Sequence, residues 1–439
     1  MKVKIVSVAS VYLIAACLWL VALLPAKASD ATPAKFWRVP VFFVTDRNLE
    51  PVTPKSPDTN FGPHRKYIGE CKHDPFMGSA YCVIPNYECK PLTQALIDLG
   101  WTAADAKDKD GNFKATILPG DSFDNIQKDF YEQVHQKALL TADKNIFVFA
   151  HGYKNSFKSG MHTAAKLAYY AERPLIYYSW PSVCAFRSYD SDENNVEWSQ
   201  EHFNDVVTQL DQLCTDDRSL KVRLMAHSMG TRLTIRACPF LREKSWLAEA
   251  TLICPDIDAG LVKHYARRYL SANGTTTIRV YMSQRDKALA ISQILHGGYT
   301  RFGECADSIA SLGLKALGAE AAKTQATTPE DEAKFAAVLE KTKKRMQTID
   351  FTDIDLGMVG HSVPAKLICS MSFTNEPCEG LKFENEESGE RSKLSQRLSK
   401  MTKLFERDEM PIKGTCLRVV KVAESDKKQI AKAPETVSP

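Results

Sequence analysis

A serine at a strand-to-helix turn, followed along the chain by a carboxylate and then a histidine, is the minimum set for acyl transfer through an activated hydroxyl. The serine offered here is Ser228 in "LMAHSMGTRL", Leu224 to Leu233, where Ala226, His227, Ser228, Met229 and Gly230 follow G-x-S-x-G except at the first position. Such a turn crosses strand and helix closely, so the residues two before and two after the serine must be small. Gly230 meets that demand, and Ala226 adds one methyl group. The serine itself must take a strained backbone conformation costing about 1–3 kcal/mol. A serine that merely caps a helix has the same local context, so the motif needs partners.

Three histidines follow Ser228: His264, His296 and His361. His264 in "LVKHYARRYL" and His296 in "ISQILHGG" fall in helix-like stretches, whereas His361 in "GMVGHS" sits in a glycine-bearing loop after a strand. In the order serine, acid, histidine, His361 is the expected base. The expected acid is Asp286 in "RVYMSQRDKALAIS", just past a strong strand, where it would accept the second imidazole proton. Asp256 and Asp258 in "CPDID" compete for that role, and Asp286 could instead cap the helix "KALAIS". Upstream, "FVFAHGYKNSF" places His151-Gly152-Tyr153 after another strand. An H-G loop there suits backbone amides that hold an oxyanion, and Tyr153 and Met229 are expected to supply the pair, with His151 structural. Trp180 in "WPS" follows a strand end and either lines an acyl pocket or packs as a buried aromatic.

The elements that position these residues alternate. "RVPVFFVTD" opens as a strand, and from Lys144 strands "NIFVFA", "PLIYYSW", "SLKVRLMA", "EATLICP", "TTIRVYMS" and "MQTIDF" interleave with helices. One helix is expected from about Asn194, with Val196, Phe203, Val206, Val207, Leu210 and Leu213 on a single face. Short apolar strands separated by helices predict an α/β domain whose mostly parallel central sheet is covered on both faces, with active groups at the carboxyl ends of its strands. The expected divisions are a leader over 1–28, a catalytic domain over 36–365, and an extension over 366–439, peripheral and partly disordered. Within the domain, 47–143 reads as a cysteine-containing insertion and 305–344 as a helical insertion before the last strand, "MQTIDF". The second helix of that insertion starts at Thr328-Pro329.

Taken in order, "VFFVTDRN", "HGYKNSF", "WPS", "AHSMGTRL", "PDID", "YMSQRDKALAIS", "RFGE" (Arg301–Glu304) and "GHS" resemble a bacterial α/β-hydrolase family of unknown function within the esterase/lipase superfamily. The resemblance spans roughly Arg38 to Val363. It implies the α/β-hydrolase fold, and it implies that alanine is ordinary ahead of the His-Ser of the elbow. It names no substrate.

Composition bounds the remaining possibilities. In 439 residues the hydrophobic share is 44% and the net charge only +4, with no concentrated basic run, which argues against a nucleic-acid partner. Met1-Lys2-Val3-Lys4 precedes an apolar run from Ile5 to Leu24, and Ala26-Lys27-Ala28 fits a signal-peptidase site with the mature chain starting near Ser29. An uncleaved anchor over 5–24, or lipid attachment at Cys17, are the alternatives; each puts the domain outside the cytoplasm, in the periplasm or beyond. The twelve cysteines suit an oxidising compartment. Cys71, Cys82 and Cys89, and separately Cys369 and Cys378, are expected to form local staples, while Cys238 and Cys254 read as buried thiols. No C-x-x-C pair occurs, so no zinc site is expected, and the expected serine chemistry needs no metal or organic cofactor. The function expected is that of an exported serine hydrolase acting on a small-molecule or lipid ester or thioester, its oligomeric state open. The competing expectation is a non-catalytic binding or scaffold protein of the cell envelope on the same fold.

Overall fold

The computed structural model describes residues 34–51, 61–67, 74–104, 113–185, 187–241, 244–269, 275–304, 328–354, 361–385 and 416–422. The leader, Cys17, Cys71 and most of the 305–344 segment lie outside the described residues. Among the described residues no helix is long and apolar enough to cross a membrane.

Strands β1 (Phe36–Thr45), β2 (Arg47–Leu49), β3 (Phe61–Arg65), β4 (Phe76–Pro85), β5 (Thr102–Ala104), β6 (Phe113–Ile117), β7 (Asn145–Ala150), β8 (Leu175–Ser179), β9 (Lys221–His227), β10 (Leu247–Ile253), β11 (Thr277–Met282), β12 (Met346–Asp350), β13 (Leu381–Asn385) and β14 (Cys416–Lys421) follow in chain order. All but β2 and β3 join one sheet, ordered β13-β14-β12-β11-β10-β9-β7-β8-β1-β4-β6, with β5 beside β1. Its run from β1 through β8, β7, β9, β10, β11, β12 and β14 is parallel. Parallel strands need crossovers, and the helices that make them cover both faces.

Alternation along the central strands builds two cores. Ile146, Val148 and Ala150 of β7, with Val222, Leu224 and Ala226 of β9, pack beneath the helices Phe123–Leu139 and Gln200–Asp216. Phe147 and Phe149, with Leu175 and Tyr177 of β8, face the other way, toward the helices Phe157–Ala171 and Ala365–Thr374. Each buried Val, Leu, Ile or Phe among them contributes about 1.5–3 kcal/mol. The helix expected from Asn194 is two helices, Tyr189–Trp198 and Gln200–Asp216, meeting at buried Ser199, whose carbonyl accepts from Tyr178 Oη at 2.9 Å.

Several expectations fail against this architecture. The 47–143 segment is not wholly an insertion: β4 pairs with β1 along its whole length and β6 with β4, widening the main sheet. Nor is "MQTIDF" the last strand. Within 366–439, β14 lies parallel to β12 and β13 antiparallel to β14, and the helix Ala365–Thr374 buries Leu367, Ile368, Cys369 and Met371 in the core. These residues are held further by Glu249, a buried carboxylate that accepts from Ser372 Oγ at 2.8 Å and pairs with Arg223 (2.5 Å) and Arg279 (2.6 Å).

The cysteine staples are likewise absent among the described residues. Cys82, Cys89, Cys369 and Cys378 are free thiols, as are Cys184, Cys214, Cys238 and Cys254. Cys82 points inward from β4, where burial pushes its thiol up to about 12, whereas Cys89 is exposed. Cys369 lies on the buried face of its helix, with its thiol 3.6 Å from the Leu167 carbonyl, while Cys378 is only half-buried beyond the helix.

Candidate active site

β9 ends at His227, a single tight turn spans Ser228–Gly230, and the helix Thr231–Arg236 follows directly. Ser228 has φ +52°, in the left-handed region that a residue with a Cβ rarely adopts. The surroundings hold it there. Its carbonyl accepts from Thr231 Oγ1 at 2.6 Å and from the Asp256 amide at 3.2 Å. The loop after β7 presses against the turn so tightly that two glycines are required. A Cβ on Gly230 would stand 2.2 Å from the His151 carbonyl oxygen, and one on Gly152 would stand 2.7 Å from Ser228 Cβ. Ala226 is fully buried, paired with Ala150 on one side and Leu252 on the other, and its methyl group belongs to the core.

The structure brings Ser228, His361 and Asp286 together from three strand ends. His361 Nε2 lies 2.7 Å from Ser228 Oγ, and His361 Nδ1 lies 2.6 Å from Asp286 Oδ2. With Nδ1–H donated to the carboxylate, Nε2 is left to accept from the hydroxyl. Asp286 is 2% exposed and also caps the helix Lys287–Leu295, its Oδ1 accepting from the Leu289 amide at 3.0 Å. Capping and pairing therefore coexist on one side chain, one oxygen each. Burial alone would lower the His361 pKa; the Asp286 charge and hydrogen bond outweigh it and hold the imidazole above its usual value.

Neither competing acid approaches His361 as a partner. Asp256 is 2% exposed, and its carboxylate is taken up by Arg301 Nε (2.8 Å), Ser292 Oγ (2.6 Å) and Tyr189 Oη (2.5 Å). Asp258 Oδ1 caps the helix Ala259–Tyr269 through the Leu261 amide at 2.8 Å.

Two further histidines beside the site, His227 and His151, serve as struts. His227 Nε2 donates to the His361 carbonyl at 2.8 Å, tying the loop of one imidazole to the elbow of the serine. Burial, reinforced by the neighbouring His361, pushes the His227 pKa down to about 3, so the ring is a neutral donor. His151 is pushed down to about 3 by burial and by Arg47. Its Nδ1 lies 2.8 Å from the Gly152 carbonyl, and its Nε2 lies 3.0 Å from the Trp180 carbonyl and 3.3 Å from Arg47 Nη2. Trp180 does not line a pocket. It is fully buried, stacks on His151 at 4.7 Å between ring centroids, and donates its indole N–H to the His151 carbonyl at 2.8 Å.

A cavity of about 620 Å³ opens over Ser228 and His361, walled by Tyr153 and Tyr189 on one side and by the helix Lys287–Leu295 on the other. Tyr153 Oη donates to the Ala185 carbonyl at 2.8 Å, fixing its ring at the rim, while Met229 is fully buried behind the serine. Sequence reasoning missed Tyr189, which joins the wall to Asp256, and Arg301, which neutralises that acid. Arg301 had a signal in the "RFGE" run; Tyr189, in the polar stretch "SYDSDENN", had none.

Cys254 is the third unforeseen neighbour. It follows β10 with φ +46°, and its sulfur, an Asp286 oxygen and a His361 nitrogen lie within 4.8 Å of one another. Among the described residues this is the one such group able to hold a metal ion by proximity. Burial first, then the charge and hydrogen bond of Asp286, keep the Cys254 thiol protonated well above its usual range. A metal ligand must be the thiolate, so the donor set fits a hydrogen-bonding thiol better than a metal centre.

Nothing among curated proteins matches the chain. An esterase of Pyrobaculum calidifontis in a monoclinic crystal form is similar at 11% identity, over 61% of this chain and 80% of that one, with a TM-score of 0.24. A structure of the hyperthermophilic esterase from the same archaeon is similar at 10% identity, over 72% and 92% of the two chains, also with a TM-score of 0.24. The chain has the α/β-hydrolase fold, and its residues 126–323, which carry the elbow, the His151-Gly152 loop and Asp286, match the family described as alpha/beta hydrolase of unknown function (DUF900).

Proposed function

We propose that the protein is an exported serine hydrolase that cleaves a carboxylic ester or thioester through an acyl-enzyme. The observation that carries this reading is the continuous hydrogen-bonded line Ser228 Oγ, His361 Nε2, His361 Nδ1, Asp286 Oδ2, with links of 2.7 and 2.6 Å, ending on a strained serine that lines the cavity. Ser228 Oγ attacks the carbonyl carbon as its proton passes to His361 Nε2. The imidazolium, stabilised by Asp286, then protonates the departing alkoxide or thiolate as its bond to the acyl carbon breaks. Water repeats the sequence in reverse roles: His361 takes its proton, the hydroxide attacks the ester of Ser228, and the acid leaves with Ser228 Oγ reprotonated. The amides of Tyr153 and Met229 are proposed to hold the oxyanion, supported by the close packing of Gly152 on Ser228 and by the place of Met229 directly after it.

The pH sense follows from the raised pKa. His361 must be neutral to accept the proton, so kcat/KM rises with pH through that raised value. The same imidazole contributes folding stability that is fully present below its unfolded pKa and is lost as pH rises through the folded one.

Labelling with a fluorophosphonate tests the reading. Native protein labels at Ser228 and Ser228→Ala does not; native protein that fails to label, or label that persists in the variant, overturns it. Export is supported by the basic start and apolar run before Ala28, and a secreted product whose first residue is Ser29 is the expected mass-spectrometric result.

A further inference from the structure

The helix Lys287–Leu295 places Lys287, Ile291 and Leu295 one turn apart along a stripe that walls the cavity, spanning about 12 Å. The stripe is chemically polarised. Its first member is a cation, next in the chain to Asp286, and its later members are exposed apolar groups, Ile291 at 49% and Leu295 at 58%. Ile294 at 57% and Tyr299 at 54% carry the apolar surface past the rim. Soluble proteins seldom leave such neighbours uncovered unless something binds them.

The charges of the wall point the same way. Asp256 is already neutralised by Arg301, so it offers a substrate no net charge. What remains are Arg187, Lys287 and the carboxylate of Asp190. Both cations are exposed, and among the described residues neither has a hydrogen-bond or ion-pair partner. The cavity that holds Ser228 and His361 therefore has a net positive wall, and the later turns of its helix are apolar.

Resting on the hydrolase reading above, we propose that the substrate is an anionic amphiphile: an ester whose acyl chain lies along Ile291 and Leu295 and whose alcohol part carries a phosphate or carboxylate held at Arg187 and Lys287. The anion sits close to the scissile bond because Lys287 adjoins the acid of the site, while the chain runs toward the helix C-terminus. Both interactions engage the substrate before and during attack, so they set which ester is chosen.

The test compares 4-nitrophenyl decanoate with its 3-carboxy derivative, using the full-length protein. Wild type is expected to show the higher kcat/KM on the carboxylated ester, a preference that narrows in high salt. Arg187→Ala and Lys287→Ala each reduce the anionic-to-neutral ratio about two- to fivefold, and the double variant about tenfold. Ile291→Gln/Leu295→Gln reduces the decanoate-to-acetate ratio by about fivefold or more. Lysophosphatidylglycerol against lysophosphatidylcholine of equal chain length separates the sources. Preference for the anionic headgroup assigns a lipid, and preference confined to the carboxylated nitrophenyl ester assigns a soluble anion. A wild-type preference for the neutral ester, or a ratio unmoved in Arg187→Ala/Lys287→Ala, overturns the proposal and leaves the hydrolase reading standing. Wild type that turns over neither ester and takes no fluorophosphonate label removes both.

Discussion

Two carboxylates stand in loops after adjacent strands, each nearly buried, and they have been given opposite tasks. Asp286, after β11, meets an imidazole and spends its other oxygen on a helix cap. Asp256, after β10, meets Arg301, a serine and a tyrosine. Burial resists the charge of Asp256, and Arg301 with Arg232 overcomes it, so the carboxyl is held below its ordinary pKa and has no proton to exchange. The residue type does not decide the role. What decides it is whether the nearest cation is permanent, as a guanidinium is, or conditional, as an imidazolium is.

The comparison can be broken from either side. The largest effect is expected where both halves depend on one atom: Ser228→Ala should remove ester hydrolysis by about 10⁴-fold or more, measured as kcat on an activated ester, with the fold intact by circular dichroism. Asp286→Asn should follow at about 10³- to 10⁴-fold in kcat, because the amide favours the wrong tautomer of His361. It should also carry the acid limb of the pH profile downward, since the anion that raises the His361 pKa is gone. An unmoved limb would contradict the pairing.

Asp256→Ala should act on the other quantity. Removing one partner of a buried pair leaves Arg301 uncompensated, and a loss of about 3–5 kcal/mol in denaturant unfolding is expected. At a permissive temperature it should still label at Ser228; loss of labelling in a folded sample would mean the two acids share the chemistry. The smallest effect is expected at Cys254, whose thiol touches Asp286. Cys254→Ala should lower kcat about two- to fivefold, the cost of a weak neutral donor to a carboxylate, and Cys254→Ser should restore it.

Much of the site was legible because its parts sit at strand ends whose strands are short, apolar and continuous. β7, β9 and β11 are buried on both faces, so their sequences announce them, and the loops that follow are then easy to find. Strands buried on one face were harder. "FMGSAYCVIP" alternates in burial, but its Gly78, Ser79 and Cys82 read as loop chemistry; the glycine is there because a Cβ would strike the Thr116 carbonyl at 2.1 Å. β13 and β14 are further still from local signal. Each is short, polar on one side, and defined by pairing across the chain rather than by its own pattern. Trp180 shows a different limit: the sequence places it after a strand, but stacking on His151 is set by a loop from another strand. The cysteines misled for a physical reason too. Closeness in sequence says nothing about which face each thiol occupies, and Cys369 is turned into the core.

The parallel pairing of β14 with β12 has a consequence for how long the protein takes to become itself. The elbow, the β7 loop and Asp286 are complete once β11 is in place, but the strand that leads to His361 lies between β11 and a strand made from residues 416–421. Until that last strand docks, β12 is an open sheet edge, the kind that invites foreign strands, and His361 hangs from it. A chain without residues 416–421 therefore leaves β12 uncovered on that side, and a protease that trims ahead of Cys416 returns a folded molecule to that state. Limited proteolysis followed by fluorophosphonate labelling should show the loss of label arriving with the cut.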